Sequence, residues 1–323
     1  MYQSVWERFD VEFSGDGASV QYFTFNSFTL DLNASVAHPD NVTIVTLNLP
    51  LLALRAQLGD GDAGDWYGDL AADLVTDAFE ASQGVSGSPL FVRETVSSLV
   101  WGTESAVLAW VNSSLTPLNS TVFSLQHNST SYDSDRAFFG ERDNYGTGSG
   151  NLSQLGQVQR WQTWSSLPWW GDQDGATTLT GSDGHGFAPP LTDKSVLEVW
   201  ADEAFRHISL IYNSTRSVYD VPVLHFTVAT DDFANTCSAA NPQCAPYWLT
   251  APSGLNNLSA ALRYTQGAGA PIFLSQARFS GSDPSYQYQV TFLPPNNQDD
   301  PEALQTFVEV EPVRVASPVL AMS

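Results

Sequence analysis

The sequence predicts a mainly β fold, a largely antiparallel β domain with α-helices inserted near its start. Three observations lead there. Stretches that alternate β-branched and aromatic residues with polar ones, SVQYFTFNSFTL (19–30) and VYDVPVLHFTVAT (218–230) among them, recur along the chain. Apolar residues at helical spacing concentrate between residues 50 and 101. A Gly/Ser-rich stretch at 140–157 and the polar run PPNNQDDPE at 294–302 punctuate the strand-like segments as connectors. With 323 residues, 42% of them apolar, the chain can bury a substantial core.

In chain order, SVQYFTFNSFTL is a strand, His38-Pro39-Asp40 a turn, and NVTIVTLNL (41–49) a second strand. LPLLALRAQL (49–58) is a short helix, closed off by GDGDAG. GDWYGDLAADLVTDAFEAS (64–82) is a second helix, because Trp66, Leu70, Leu74 and Ala78 recur every four residues with Phe79 beside them. FVRETVSSLVWG (91–102) is a third, ending at Gly102. Beyond it, TVFSLQH, VYDVPVLHFTVAT, APIFLSQARF, YQYQVTFL and TFVEVEPVRV read as strands, and VLEVWADEAFRHIS (196–209) as one further helix. No repeat of fixed period is visible.

Composition narrows the function. Thirty-five acids stand against 12 bases, a net charge of −23, and the only lysine is Lys194. Such a surface repels nucleic acid and anionic lipid headgroups, because both need Lys/Arg to neutralise phosphate. No apolar run approaches the roughly 18–20 residues that span a bilayer. Glu7, Arg8 and Asp10 interrupt the first ten residues where a signal peptide needs an apolar stretch. Yet eight of the 16 asparagines sit in Asn-x-Ser/Thr sequons: Asn33, Asn41, Asn112, Asn119, Asn128, Asn151, Asn213 and Asn257. Chance gives roughly three. Glycan acceptors have meaning only in a lumenal or extracellular compartment. An ectodomain whose targeting and anchoring segments lie outside the sequence reconciles these facts. Cys237 and Cys244, seven positions apart around Asn-Pro, either close a short disulfide loop, worth roughly 2.5 kcal/mol by chain entropy, or remain free thiols.

Candidate chemistry is sparse. TGSDGHGFAPPLTDKS (180–195) is Gly-rich, but its one lysine follows Asp193 and does not close a phosphate loop. Asp172, Asp174 and Asp183 fall at the first, third and twelfth positions of a calcium loop, but Thr177 stands where its sharp turn needs glycine. A tight turn whose aspartates cap backbone donors fits better. His38, His127, His185, His207 and His225 form no HxH or HxxxH pair, so no metal is expected, and no Gly-x-Ser-x-Gly elbow is present. Abundant carboxylates and ten tryptophans keep open a secreted carbohydrate-binding or carbohydrate-active β protein, with Trp169 and Trp170 as exposed platforms. Asp65, Asp69, Asp73 and Asp77 stand four apart as an acidic stripe on the second helix. It is either solvated surface or a docking face for a cationic partner.

Taken in chain order, several segments resemble one family. WSSLPWWGDQDGATTLTGSDGHGFAPPLTDKSVLEVW (164–200) resembles the stretch of class B scavenger receptors that runs from a Trp-rich segment through a Gly-Asp turn to Phe-x-Pro. DNVTIVTLNLPLLAL (40–54), RETVSSLVWG (93–102), CAPYWLTAPSGLNNLS (244–259) with GAPIFLS (269–275), and NNQDDPEALQTFVEVEP (296–312) resemble further family landmarks in the same order. The resemblance covers most of the chain. It implies a single ectodomain over residues 1–323, with an antiparallel β-barrel-like core, a helical apex at 50–101 and an internal hydrophobic tunnel for lipids. It implies lipid or lipoprotein partners, a plasma-membrane or lysosomal/endosomal lumenal setting, and no cofactor or catalytic residue. Apex candidates for ligand docking are then Trp66, Tyr67, Asp69, Leu70, Asp73, Leu74, Asp77 and Phe79. The acidic stripe in place of the family's apex lysines favours a cationic ligand. Gly181-Ser182-Asp183-Gly184 becomes a structural turn. Phe205, and the region of Ala260, stand where the family has the two halves of a disulfide, and Cys237–Cys244 looks like the bridge that remains. Relative to the family both ends look truncated, with the membrane spans outside the sequence.

Overall fold

The computed structural model describes residues 2–33, 35, 37–58, 73, 76–79, 91–114, 121–126, 128–170, 177–229, 232–234, 253–266, 272–289, 305–312 and 319–321. The chain divides into two compact units. One holds Met1–Phe9, Thr24–Phe138 and Leu262–Pro271, and the other holds Asp10–Phe23, Phe139–Ala261 and Ile272–Ser323. The predicted helical region 50–101 falls inside the first.

Strands β1 (Tyr2–Phe13) and β2 (Ser19–Leu30) form a long hairpin that runs through both units. Its turn is built by Asp16, whose carboxylate accepts from the Ala18 amide (3.0 Å) and the Ser14 hydroxyl (2.7 Å). In the first unit, β3 (Thr43–Leu47) pairs antiparallel with β4 (Phe91–Thr95). Helix α1 spans Leu49–Leu58. Helix α2 (Val96–Trp101) is capped by the Thr95 hydroxyl on the Ser98 amide (3.0 Å) and ends at Gly102, whose φ of 116° suits only glycine. β5 (Thr103–Glu104) pairs with β6 (Val122–Phe123) around α3 (Ala106–Ser114), and α4 spans Tyr132–Phe139. Leu51, Phe79, Val107 and Val111 make the buried centre of the helical cluster, with Leu54 and Trp110 against it.

In the second unit, β7 (Asp143–Gly146) pairs with β2 on one side and β8 (Val158–Arg160) on the other. β9 (Val196–Ala201), β10 (Arg206–Val218) and β11 (Val221–Val228) precede the short β12 (Asn256–Asn257) and β13 (Phe273–Leu274). β14 (Phe307–Val310) and β15 (Val319–Ala321) complete a five-stranded antiparallel sheet in the order β15-β14-β11-β10-β9. α5 (Ser259–Gln266) begins in the second unit, and α6 (Pro284–Gln289) lies within it.

The mainly β, antiparallel expectation holds, with corrections at four places. VLEVWADEAFRHIS is not a helix. Val196–Ala201 and Arg206–Val218 are paired strands joined by a 3-10 turn at Asp202–Ala204 that Phe205 closes in the left-handed region (φ 53°). Leu197, Val199, Ile208 and Leu210 supply the two-residue alternation of that pair, and it outweighs the helix-forming Ala-Asp-Glu-Ala between them. FVRETVSSLVWG is half strand and half helix. YQYQVTFL begins inside α6 instead of a strand. The helices α3, α4 and α5 fall where only strands and loops were expected; caps at Ser131 on the Ser134 amide (3.1 Å) and Asn257 on the Ser259 amide (3.0 Å) help to start two of them.

The 181–186 turn is structural, as the resemblance implied. Ser182 is fully buried and bridges to β9, its amide donating to the Glu198 carbonyl (2.7 Å) and its carbonyl accepting from the Trp200 amide (2.8 Å). The Ser182 hydroxyl donates to the Gly186 carbonyl (2.6 Å), and Asp183 accepts from the His185 amide (2.9 Å) and the Tyr22 hydroxyl (3.0 Å). Gly181 has φ +106°, and a Cβ there would lie 2.7 Å from the Trp200 nitrogen, so no other residue fits.

Candidate functional site

Two-residue alternation along the five-stranded sheet sorts its side chains into two unlike faces. One face is apolar across β9, β10, β11 and β14, bounded by Arg206 in the Ala201 row at one end and by Thr215 opposite Leu224 at the other. Leu197 lies opposite Leu210, which lies opposite Val228; Val199 faces Ile208. Tyr212 faces Phe226, which faces Val308, and Leu224 faces Val310. Phe187, Leu191 and Phe233 pack onto this surface, and Phe226 is fully buried. Chemically, such a face can do one thing. It offers aliphatic and aromatic carbon to another apolar surface at roughly 0.8 kcal/mol per buried methylene.

The opposite face is polar yet largely buried. His225 and Glu309 are cross-strand partners with Nδ1 and Oε1 3.1 Å apart, Arg216 reaches the same carboxylate at 3.9 Å, and the Phe307 ring lies 4.8 Å from the imidazole. His207, paired with Trp200, is 6% exposed, and its Nδ1 has no hydrogen-bond partner among the described residues. Burial lowers its pKa to about 4; the Glu198 carboxylate opposes that shift and the Arg206 guanidinium adds to it. On the apolar side of the alternation, in the row that ends it at Ala201, Arg206 forms an ion pair with Asp232 at 3.6 Å, the side chains 2% and 3% exposed. The Arg206 Nε donates to the His207 carbonyl (3.0 Å), and its guanidinium lies 5.9 Å from the Trp170 ring. Desolvation lowers the Arg206 pKa and Asp232 opposes the shift. None of these groups was singled out as a pair from sequence. The available signal was an Arg-His dipeptide opening the apolar-alternating start of a strand, RHISLI, where a buried charge must find a partner.

Of the apex candidates, Asp73 and Asp77 are exposed and helical. Phe79 is buried, edge-on to Trp110 with centroids 5.9 Å apart. Of the described positions, Thr76 and Phe79 are buried, while Ala78, expected on the apolar stripe, is exposed. Trp66, Tyr67, Asp69, Leu70 and Leu74 lie outside the described residues, as do Cys237, Cys244, Asp172, Asp174 and Asn119. Asn33, Asn41, Asn112, Asn151 and Asn213 are exposed. Asn128 is half-buried and accepts from the Phe28 amide (3.1 Å), and Asn257 is 2% exposed.

Trp169 and Trp170 are not exposed platforms. Each is 3% exposed, and both indole N–H groups donate to the Phe205 carbonyl, at 3.2 and 2.8 Å. Trp161 and Trp200 complete this aromatic centre. A sugar ring cannot stack on either of these two indoles without unfolding the centre, so neither serves as a carbohydrate platform. The Asn256 amide donates to the Ala204 carbonyl (3.1 Å), so a hydrogen bond ties the two segments where the resembling family has a disulfide.

Among the described residues no group of three His, Cys, Asp or Glu could hold a metal ion, and no helix is long and apolar enough to cross a membrane. A family model described as CD36 family matches residues 1–318. Lysosome membrane protein 2 of Mus musculus is 26% identical over 315 residues, covering 97% of this chain and 59% of that protein. Its Homo sapiens counterpart is 25% identical with the same coverage. Scavenger receptor class B member 1 of Mus musculus is 28% identical over 230 residues, 70% of this chain and 42% of that protein. The chain thus spans about three fifths of the length of the first two of these relatives.

Proposed function

The chain belongs to the CD36 family, and from that premise we propose that it works as a scavenger-receptor-like ectodomain of a membrane glycoprotein that binds or transports lipid. The reading places it in the extracellular space or the lysosomal/endosomal lumen, with fatty acid, sterol, phospholipid or lipoprotein as partner and no catalytic step. The apolar cluster that spans four strands of the sheet carries it. In this reading the face lines a hydrophobic tunnel in which acyl chains lodge or slide. Binding to a fluorescent fatty acid tests it. The chain is expected to give saturable binding that unlabelled fatty acid displaces. Ile208→Trp, which fills the apolar face, should weaken that binding roughly tenfold. Ile211→Trp, on the other face at a 39% exposed position, should leave it unchanged. Equal behaviour of the two variants, or no saturable binding, would sink the reading.

The same reading assigns ligand docking to the helical apex at Trp66, Tyr67, Asp69, Leu70, Asp73, Leu74, Asp77 and Phe79, with a cationic protein ligand suited to its acidic stripe. Phe79 then acts from beneath, as packing. Asp73→Asn with Asp77→Asn removes a like-charge pair four residues apart. It is expected to raise stability by a few tenths of a kcal/mol and to weaken binding of an oligolysine peptide. Unchanged peptide affinity would leave the stripe as solvated surface.

Glycan attachment follows exposure. Expressed through a secretory pathway, the chain is expected to carry glycans at Asn33, Asn41, Asn112, Asn151 and Asn213 by glycopeptide mass spectrometry. Asn257 is expected bare, because a sugar on a 2% exposed side chain would block its burial. A fully glycosylated Asn257 in folded protein would contradict the packing around β12. Cys237 and Cys244 are proposed to form the disulfide that the family resemblance implies.

A further inference from the structure

The β10–β11 hairpin carries a feature that lipid lodging on the sheet does not use. Val218 pairs with Val221, so Tyr219 and Asp220 form a two-residue turn, and both have positive φ, 49° and 64°. Turns of this type favour Asn-Gly, because a bulky L side chain strains there. Here the strained position holds a tyrosine that is 97% exposed, so no packing within the chain explains it. Val221 (45% exposed) and Pro222 stand exposed beside it.

Charge narrows the partner. The chain carries −23 overall, but from Arg206 to Val228 the formally charged side chains are Arg206, Arg216 and Asp220. Arg206 is buried against Asp232, and Arg216 lies 3.9 Å from Glu309. Among the hairpin's own residues, the tip therefore presents one aromatic ring and one carboxylate, adjacent in sequence and both exposed. That is the donor-poor combination that attracts a quaternary ammonium, through the ring's negative face and the adjacent negative charge. A convex tip with a single ring cannot cage a small free cation. Against a plane of headgroups it needs no cage, because Tyr219 sits at the depth that tyrosine prefers at membrane interfaces, while Val221 and Pro222 meet the apolar edge.

We propose that the Tyr219–Pro222 hairpin tip docks onto the choline-rich surface of a zwitterionic bilayer. Contact is shallow, with Asp220 kept among the headgroups, and anionic membranes are disfavoured by the overall charge.

Cosedimentation of the full chain with phosphatidylcholine vesicles at millimolar lipid tests the proposal, using Tyr219→Asn and Tyr219→Trp. Asparagine suits a positive φ better than tyrosine, so Tyr219→Asn should melt at a higher temperature, and a loss of binding cannot be charged to unfolding. The expected partition falls roughly three- to tenfold in Tyr219→Asn, is kept in Tyr219→Trp, and is lower for every form on phosphatidylglycerol vesicles. Equal partition of wild type and Tyr219→Asn overturns the proposal, as does absence of wild-type partition or a preference for phosphatidylglycerol. Saturable binding of choline chloride alone, dependent on Tyr219, also overturns it, in favour of a free-cation site. The fatty-acid assay above reads the sheet interior, so the two ideas fail separately.

Discussion

Arg206→Ala is expected to lower the unfolding free energy by about 3–5 kcal/mol, the cost of leaving one member of a buried ion pair behind. Arg206 and Asp232 are 2% and 3% exposed at the side chain and 3.6 Å apart. Removing the guanidinium strands the Asp232 carboxylate, which already accepts from the Ser209 amide (3.1 Å) and sits in the turn that leaves β11. It also deletes the Nε bond to the His207 carbonyl and the cation above Trp170. Lysine cannot replace these interactions, because a point charge on a flexible stem lacks the planar fork that reaches both carbonyl and carboxylate. The informative comparison is the double variant Arg206→Met with Asp232→Leu. It removes both charges at similar volume and should recover most of the loss, since the pair's mutual attraction mainly repays its own desolvation. Urea denaturation of the two variants reads this directly. If both lose the same stability, the damage comes from packing around Trp170 and not from an orphaned charge.

That ion pair shows what the sequence concealed. The β character was legible, because SVQYFTFNSFTL and VPVLHFTV alternate as strands with one packed face must. The helix α1 and the Gly102 stop were legible for equally local reasons. VLEVWADEAFRHIS was misread because its outcome turns on one residue. Phe205 adopts a left-handed conformation, which composition does not signal, and that reverses the chain into a hairpin. Ala78 was misplaced through arithmetic. A helix turns about 100° per residue, so each step of four drifts by about 40°. Phe79 and Thr76 are buried in its place. Trp169 and Trp170 looked like exposed platforms because tryptophan content says nothing about which carbonyl will satisfy an indole N–H. The family resemblance needed only ordered landmarks. The apolar face needed register between β9, β10, β11 and β14, and register across more than 80 residues of sequence is a tertiary property.

The second large effect concerns acid. His207 and Asp143 are both perturbed by burial, in opposite senses. Asp143 is pushed up to about 6 by desolvation, held back by the Gln162 amide that donates to it (2.8 Å) and by the Arg160 charge. His207 is pulled down to about 4 by desolvation, with Glu198 opposing and Arg206 reinforcing the shift. Between about pH 4 and 6.5 the unfolded chain binds a proton at residue 207 that the folded chain refuses, so this group costs stability as pH falls through that window. Between about pH 3.8 and 6 the folded chain binds a proton at residue 143 that the unfolded chain releases, so that group adds stability as pH falls. The two act in opposite senses over the shared window, and Asp202, near Asp143 and with its pKa raised by desolvation and by the Asp143 charge, acts in the same sense as Asp143. The wild-type chain should therefore lose less stability between pH 6.5 and 4 than the histidine alone would cost. Asp143→Asn is expected to raise stability at pH 7, where the buried carboxylate is ionised, and to expose the histidine's acid loss as a steep decline from pH 6.5 to 4. His207→Gln should do the reverse and make the chain more stable at pH 5 than at pH 7. Thermal melts across that range decide the matter. Three superimposable profiles would mean that neither group is desolvated as its surroundings require.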